Sequence, residues 1–189
     1  MKKAKQTKQK QSYILFGAGL LLIVAAFTIW AANQSSPATA TGNTVNGGIL
    51  AQGQPAPVFT AHTLTNQQIT LSDYQGDVVL VNFWATWCPP CKAEMPDINA
   101  FYEAHKDEGF TVLAVNAYED ESLVRPFIEA NGFTFPVLLD PDGIITDYYQ
   151  VRSYPTSIII DRTGTVRHIQ IGLIFPEQLD SYILPLLES

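Results

Sequence analysis

Residues 78–96 read VVLVNFWATWCPPCKAEMP, and the order of residue types within them decides the fold. Residues 78–85 are almost continuously apolar and rich in β-formers, as a strand covered on both faces should be. Two cysteines split by two prolines follow. From Cys91 onward, Met95, Ile98, Phe101, Tyr102 and His105 recur at spacings of three and four, which predicts an amphipathic helix over 91–106, stopped by Gly109. The cysteine pair therefore sits where a buried strand hands over to a helix. With Cys88 as N-cap, Pro89 and Pro90 occupy N1 and N2, where a missing N–H costs little. The first amide able to donate to the Cys88 sulfur is then that of Cys91. The positive end of the helix favours a thiolate at Cys88. These considerations make Cys88 the expected exposed, acidified nucleophile, with Cys91 one turn inside as the resolving thiol.

Working outward, the same alternation continues. Residues 58–60 and 68–71 alternate as an edge strand or hairpin would, and 110–115 is a second buried-strand run. A helix is expected over 121–130, with Asn131-Gly132 as its stop, then a strand over 136–139. Asp140-Pro-Asp-Gly143 reads as a turn leading to a short helix over 144–150. Strands over 156–160 and 166–171 around Arg162-Thr-Gly164 form a hairpin, and 176–187 closes the chain as a helix. Strands alternating with helices plus a terminal hairpin define an α/β domain with a central mixed sheet, spanning 53–189.

Composition narrows the chemistry. The chain has 189 residues, two cysteines and a formal charge of −7. A disulfide-stapled miniprotein or a four-cysteine zinc site needs more cysteines. His62, His105 and His168 are too scattered to complete a metal site, so no metal is expected and no cofactor beyond the cysteine pair itself. The acidic balance argues against a general nucleic-acid binder. A disulfide across two residues closes too small a loop to restrain the unfolded chain much, which leaves dithiol redox chemistry as the reading for Cys-x-x-Cys beside a βα unit.

The charge is also uneven. Five of the 11 basic residues are Lys2, Lys3, Lys5, Lys8 and Lys10, and no acid precedes Asp73. Residues 13–32, YILFGAGLLLIVAAFTIWAA, are uncharged and 20 long. At about 1.5 Å per residue they span roughly 30 Å, the hydrocarbon thickness of a bilayer. Tyr13 and Trp30 lie near the two ends, where amphipathic rings suit the headgroups, and the preceding lysines place residues 1–12 in the cytoplasm. The run exceeds the apolar core of a cleaved signal, although Ala38-Thr39-Ala40 offers a cleavage pattern. A single-pass signal-anchor with an extracytoplasmic body is the expectation. Residues 33–52, polar and uncharged, are expected to be a flexible linker.

The stretch 78–96 resembles the active-site region of the thioredoxin family, and in detail its membrane-anchored extracytoplasmic branch, the ResA/TlpA-like proteins. Pro96 matches the proline that kinks that family's active-site helix. Residues 53–59 (GQPAPVF), 135–143 (FPVLLDPDG) and 151–156 (VRSYPT) resemble the branch's opening segment, its inserted unit and its cis-proline loop. The resemblance covers about 53–187. It implies a thioredoxin-like fold and thiol–disulfide oxidoreductase activity, with Pro155 cis and Trp87, Tyr154, Pro155 and Thr156 lining a substrate groove. It implies that Glu94 tunes cysteine protonation; read from the sequence alone, Glu94 is equally a solvated first-turn acid. Asn82 departs from thioredoxin proper, which carries a buried carboxylate there. Trp84 reads as core.

The resemblance further implies a reductase of exported clients, apocytochrome c among them, supplied with electrons by a membrane thiol donor of the CcdA/DsbD kind. Two alternatives stay open at this point: a disulfide-forming oxidase of the same fold, and a copper-delivering module using both thiolates.

Overall fold

The computed structural model describes residues 43–189, so the tip over 1–12 and the proposed span over 13–32 lie outside the described residues. Among the described residues no helix is long and apolar enough to cross a membrane. The strands are β1 (Thr44–Asn46), β2 (Val58–Thr63), β3 (Gln68–Thr70), β4 (Val78–Trp84), β5 (Phe110–Ala117), β6 (Val137–Asp140), β7 (Thr156–Ile160) and β8 (Val166–Ile171). The helices are α1 (Pro89–His105), α2 (Glu121–Asn131), α3 (Ile144–Tyr148) and α4 (Pro176–Leu187).

The sheet runs β1-β2-β6-β5-β4-β7-β8, with β3 paired to β2. Strands β4, β5 and β6 are parallel, β7 is antiparallel to β4, and β8 is antiparallel to β7. Every residue of β4 and β5 is buried, as their continuous apolar runs require. Alternation along β4 sorts the core into two layers. Val78, Leu80 and Trp84 face the layer shared with Met95, Ile98 and Phe101 of α1 and with Leu179 and Ile183 of α4. Val79, Val81 and Phe83 face the opposite layer, with Ile145 and Tyr149 near α3 and Phe59 and Ala61 of β2. Trp84 is core as expected, tilted against Phe127 at 5.3 Å between ring centroids.

Two expectations change. The linker reading fails at its C-terminal end. Thr44–Asn46 pair antiparallel with β2 in register Thr44↔Thr60, and the Asn43 amide donates to the Leu139 carbonyl and to Asp140 Oδ1. Polar composition concealed this strand because its partners are mostly backbone. The helix after Gly143 is also shorter, Ile144–Tyr148, because Gln150 turns to φ 54 and ends it. Elsewhere the agreement is close: Gly109 and Gly132 take positive φ after α1 and α2, as their stop roles demand. Helix α1 continues through Pro96.

Candidate active site

The parallel strands β4 and β5 end at one edge of the sheet, and the site is assembled there. Strand β4 ends at Trp84 and α1 begins at Pro89, leaving residues 85–88 as the turn between them. Cys88 is the N-cap of α1 in extended conformation, and its Sγ accepts from the Cys91 amide at 3.2 Å. This is the bond that the Pro-Pro pair leaves as the sole first-turn option. The two sulfurs are joined in a disulfide with an S–S distance of 2.04 Å.

The expectation of an exposed Cys88 is corrected. Residue Cys88 is only 3% exposed, and Cys91 is fully buried among Trp84, Met95 and Ile98. In the disulfide, Sγ of Cys88 is tied to Sγ of Cys91 and to the Cys91 amide.

Around the disulfide the structure places the other expected residues as follows. The Tyr154–Pro155 peptide bond is cis. Trp87 is 62% exposed, and its ring meets that of Tyr154 edge-to-face at 6.0 Å. The Thr156 hydroxyl donates to the Ser153 carbonyl, and Thr156 pairs with Phe83 across β7 and β4. Trp87, next to Cys88 in sequence, and Tyr154 thus meet, while Pro155 and Thr156 are buried behind them. The Gly172 N–H donates to the Pro155 carbonyl, which brings the end of β8 alongside the cis-proline loop; Ile171 and Phe175 on either side of that glycine are exposed.

Glu94 is not the solvated first-turn acid that the sequence allowed: the helix starts at Pro89, which puts Glu94 in its second turn. It is fully buried, one helical turn beyond Cys91 on the same face. Its Oε1 accepts from Asn82 Nδ2 at 2.7 Å and its Oε2 from the Ile174 amide at 2.8 Å. Burial raises its carboxyl from the ordinary 4.5 to about 7, against the pull of those two hydrogen bonds. Asn82 therefore has a function that its departure from thioredoxin concealed. It holds the carboxylate that here comes from the helix instead of the strand, and it donates to Ser157 Oγ as well.

A second buried carboxylate, Glu119, escaped the sequence reading. Its two oxygens accept from the Thr86 amide at 2.6 Å, from the Thr86 hydroxyl at 2.5 Å and from Asn116 Nδ2 at 2.9 Å. It lies within a run of acids, Glu119-Asp120-Glu121, in which nothing marks one as inward-facing. Among the described residues no group of three or more His, Cys, Asp or Glu side chains is arranged to hold a metal.

A mixed sheet, a Cys-x-x-Cys pair at the start of the helix that follows its central strand, and a cis-proline loop opposite together define a thioredoxin-like thiol–disulfide oxidoreductase. The chain belongs to the AhpC/TSA family, whose model matches residues 52–169. It is 35% identical over 178 residues to the thiol-disulfide oxidoreductase ResA of Geobacillus kaustophilus, covering 93% of this chain and 97% of that one. The crystal structure of StoA from Bacillus subtilis superposes with a TM-score of 0.59 at 33% identity, covering 69% of this chain and 98% of StoA. A thiol:disulfide interchange protein of the thioredoxin family from Chlorobium tepidum superposes at 0.66 with 27% identity, covering 73% and 99%.

Proposed function

We propose that this protein reduces disulfides of exported client proteins. Cys88 thiolate attacks a client disulfide to form a mixed disulfide, and Cys91 then attacks the Cys88 sulfur, releasing the reduced client and the Cys88–Cys91 disulfide. Glu94, protonated in part near neutrality, exchanges the proton that Cys91 must lose to attack. Trp87, Tyr154, Pro155 and Thr156 receive the chain that flanks the client disulfide.

The observation that carries the direction is how little supports a thiolate at Cys88. A dithiol protein oxidises strongly when its reduced form is stabilised. Here Pro89 and Pro90 remove two first-turn donors, leaving one amide at 3.2 Å. Fewer donors at the helix terminus mean less stabilisation of a Cys88 thiolate, which weakens the reduced form as an electron sink and suits a donor of electrons.

Residues 13–32 would hold the domain on the outer side of the membrane. No glutathione pool reduces proteins there, so a membrane thiol donor of the CcdA/DsbD kind is the partner that re-reduction requires. The resemblance to the ResA/TlpA-like branch makes apocytochrome c one candidate client.

The test is the equilibrium potential of the Cys88–Cys91 pair against glutathione or dithiothreitol. A value near the thioredoxin end of the range, about −270 mV, is expected; one near −120 mV would establish the oxidase instead. In parallel, Cys91→Ser should accumulate mixed disulfides with exported proteins, whereas Cys88→Ser should accumulate none. Copper titration of the reduced protein tests the metal-carrier alternative.

A further inference from the structure

Glu119 is a buried carboxylate for which the exchange reaction as written has no use. Both of its oxygens are spent on one residue, Thr86, and on Asn116. Thr86 is the second of the four residues between β4 and α1, and Trp87 and Cys88 follow it directly. Within that turn the only backbone–backbone hydrogen bond runs from Cys88 N–H to the Ala85 carbonyl at 3.2 Å. The Thr86 amide and hydroxyl, donated together to one carboxylate, fix its orientation, and with it the direction in which Trp87 and Cys88 leave the strand.

The chain distorts itself to bring Glu119 there. Tyr118, the residue before it, has φ 58, a left-handed conformation that is costly for an aromatic residue. Three contacts from residues 140–147 hold it. Its amide donates to the Asp140 carbonyl at 3.0 Å, and its hydroxyl donates to Asp147 Oδ1 at 2.8 Å. Its ring fills the space beside Gly143, where a Cβ would lie 1.9 Å from a ring carbon. Asn116, the register partner of Trp84 on β5, turns its amide nitrogen toward Glu119 as well. Strain at Tyr118 is a concession of the kind that collects at functional sites.

We propose that Glu119 is a positioning residue for thiol–disulfide exchange: through Thr86 it clamps the turn that presents Cys88 and Trp87 to the client. The role rests on the reading of Cys88 as the attacking sulfur.

Two substitutions separate the clamp from the charge. Glu119→Gln preserves the bonding: its Oε1 accepts from the Thr86 and Asn116 amides, and its Nε2 donates to the Thr86 hydroxyl, which turns to accept. Glu119→Ala removes all of it. The assay is reduction of insulin disulfides by the full-length protein in detergent, regenerated with dithiothreitol. Rates are expressed per folded molecule from circular dichroism. Glu119→Ala should lower kcat/KM by about 10- to 100-fold, the scale on which small displacements of reacting groups act. Glu119→Gln should stay within about threefold of wild type. Should Glu119→Ala not fold, Thr86→Val, which keeps the amide and deletes the hydroxyl, should lose about 3- to 10-fold.

A Glu119→Ala or Thr86→Val protein with the wild-type rate per folded molecule overturns the proposal, as does a Glu119→Gln protein as slow as Glu119→Ala. Cys88→Ser is the control for the underlying reading. If it reduces insulin as fast as wild type, or if wild type does not reduce insulin, the exchange reading fails and the clamp falls with it. If only Cys88→Ser is inactive, the exchange reading stands and the clamp alone is refuted.

Discussion

Replacing Glu94 by glutamine should remove a pH dependence of stability that the wild-type fold carries. The carboxyl is fully buried and raised by that burial from 4.5 to about 7. Between those two values the folded protein holds a proton that the unfolded chain has released, so the unfolding free energy falls as pH rises. The stabilisation is complete below about 4.5 and gone once pH has passed through about 7. At about 1.4 kcal/mol per pH unit, the whole interval is worth about 3 kcal/mol. Glutamine keeps the size and can keep both contacts. Its carbonyl accepts from the Ile174 amide, and its NH2 donates to Asn82 Oδ1 once that amide flips, with Ser157 Oγ–H then donating to the same oxygen. The measurement is urea unfolding of the oxidised protein, wild type and Glu94→Gln, at several pH values. Other titrating groups are common to both proteins and cancel in the difference. That difference should shift by about 2 to 3 kcal/mol in favour of the variant between about pH 5 and pH 8. Parallel curves, with a difference constant to about 0.5 kcal/mol, would refute the argument, because they would mean that Glu94 titrates alike in the folded and unfolded chains.

Further outcomes follow from packing and from the exposed surface. Leu80 is fully buried at the centre of β4, so Leu80→Ala should cost about 2–5 kcal/mol in urea unfolding without a change in the denaturant slope. The Arg162 guanidinium donates to the carbonyls of Gly76, Glu108 and Leu187, joining the end of α4 to two distant turns. Arg162→Ala should cost about 1–2 kcal/mol and speed amide hydrogen exchange over 184–189 before the core strands are affected. Trp87 stands largely in solvent, so Trp87→Ala should alter stability by no more than about 0.5 kcal/mol while slowing reaction with protein disulfides.

Much of the site was legible locally because its chemistry is local. The N-cap role of Cys88, the place of two prolines where no amide is missed, and the Cys91 amide as donor all follow from the order of five residues, and the 3.2 Å bond bears them out. Glu94 was legible only as a position. Whether an acid early in a helix faces water or core depends on what covers it, and the cover includes the Ile174 amide, 80 residues away in sequence. Glu119 was not legible at all, since its inward turn is produced by a left-handed Tyr118 that Gly143 and Asp147 make tolerable. The accessibility of Cys88 was misjudged for the same kind of reason: an N-cap position fixes what a sulfur bonds to below, and says nothing of what closes over it.

Periodicity and the strand–cysteine–helix order were enough, by themselves, to establish an α/β sheet, the start of its active-site helix and the pair of sulfurs that exchange electrons. These depend on neighbours within one or two turns of chain, and hydrophobic patterning and capping act over that range. Tertiary structure alone decided the burial of both carboxylates, the use of Asn82 to hold one of them and the strand at Thr44–Asn46. Desolvation and hydrogen-bond partnership are properties of contacts between distant segments, and those exist only once the sheet has brought its strand ends together.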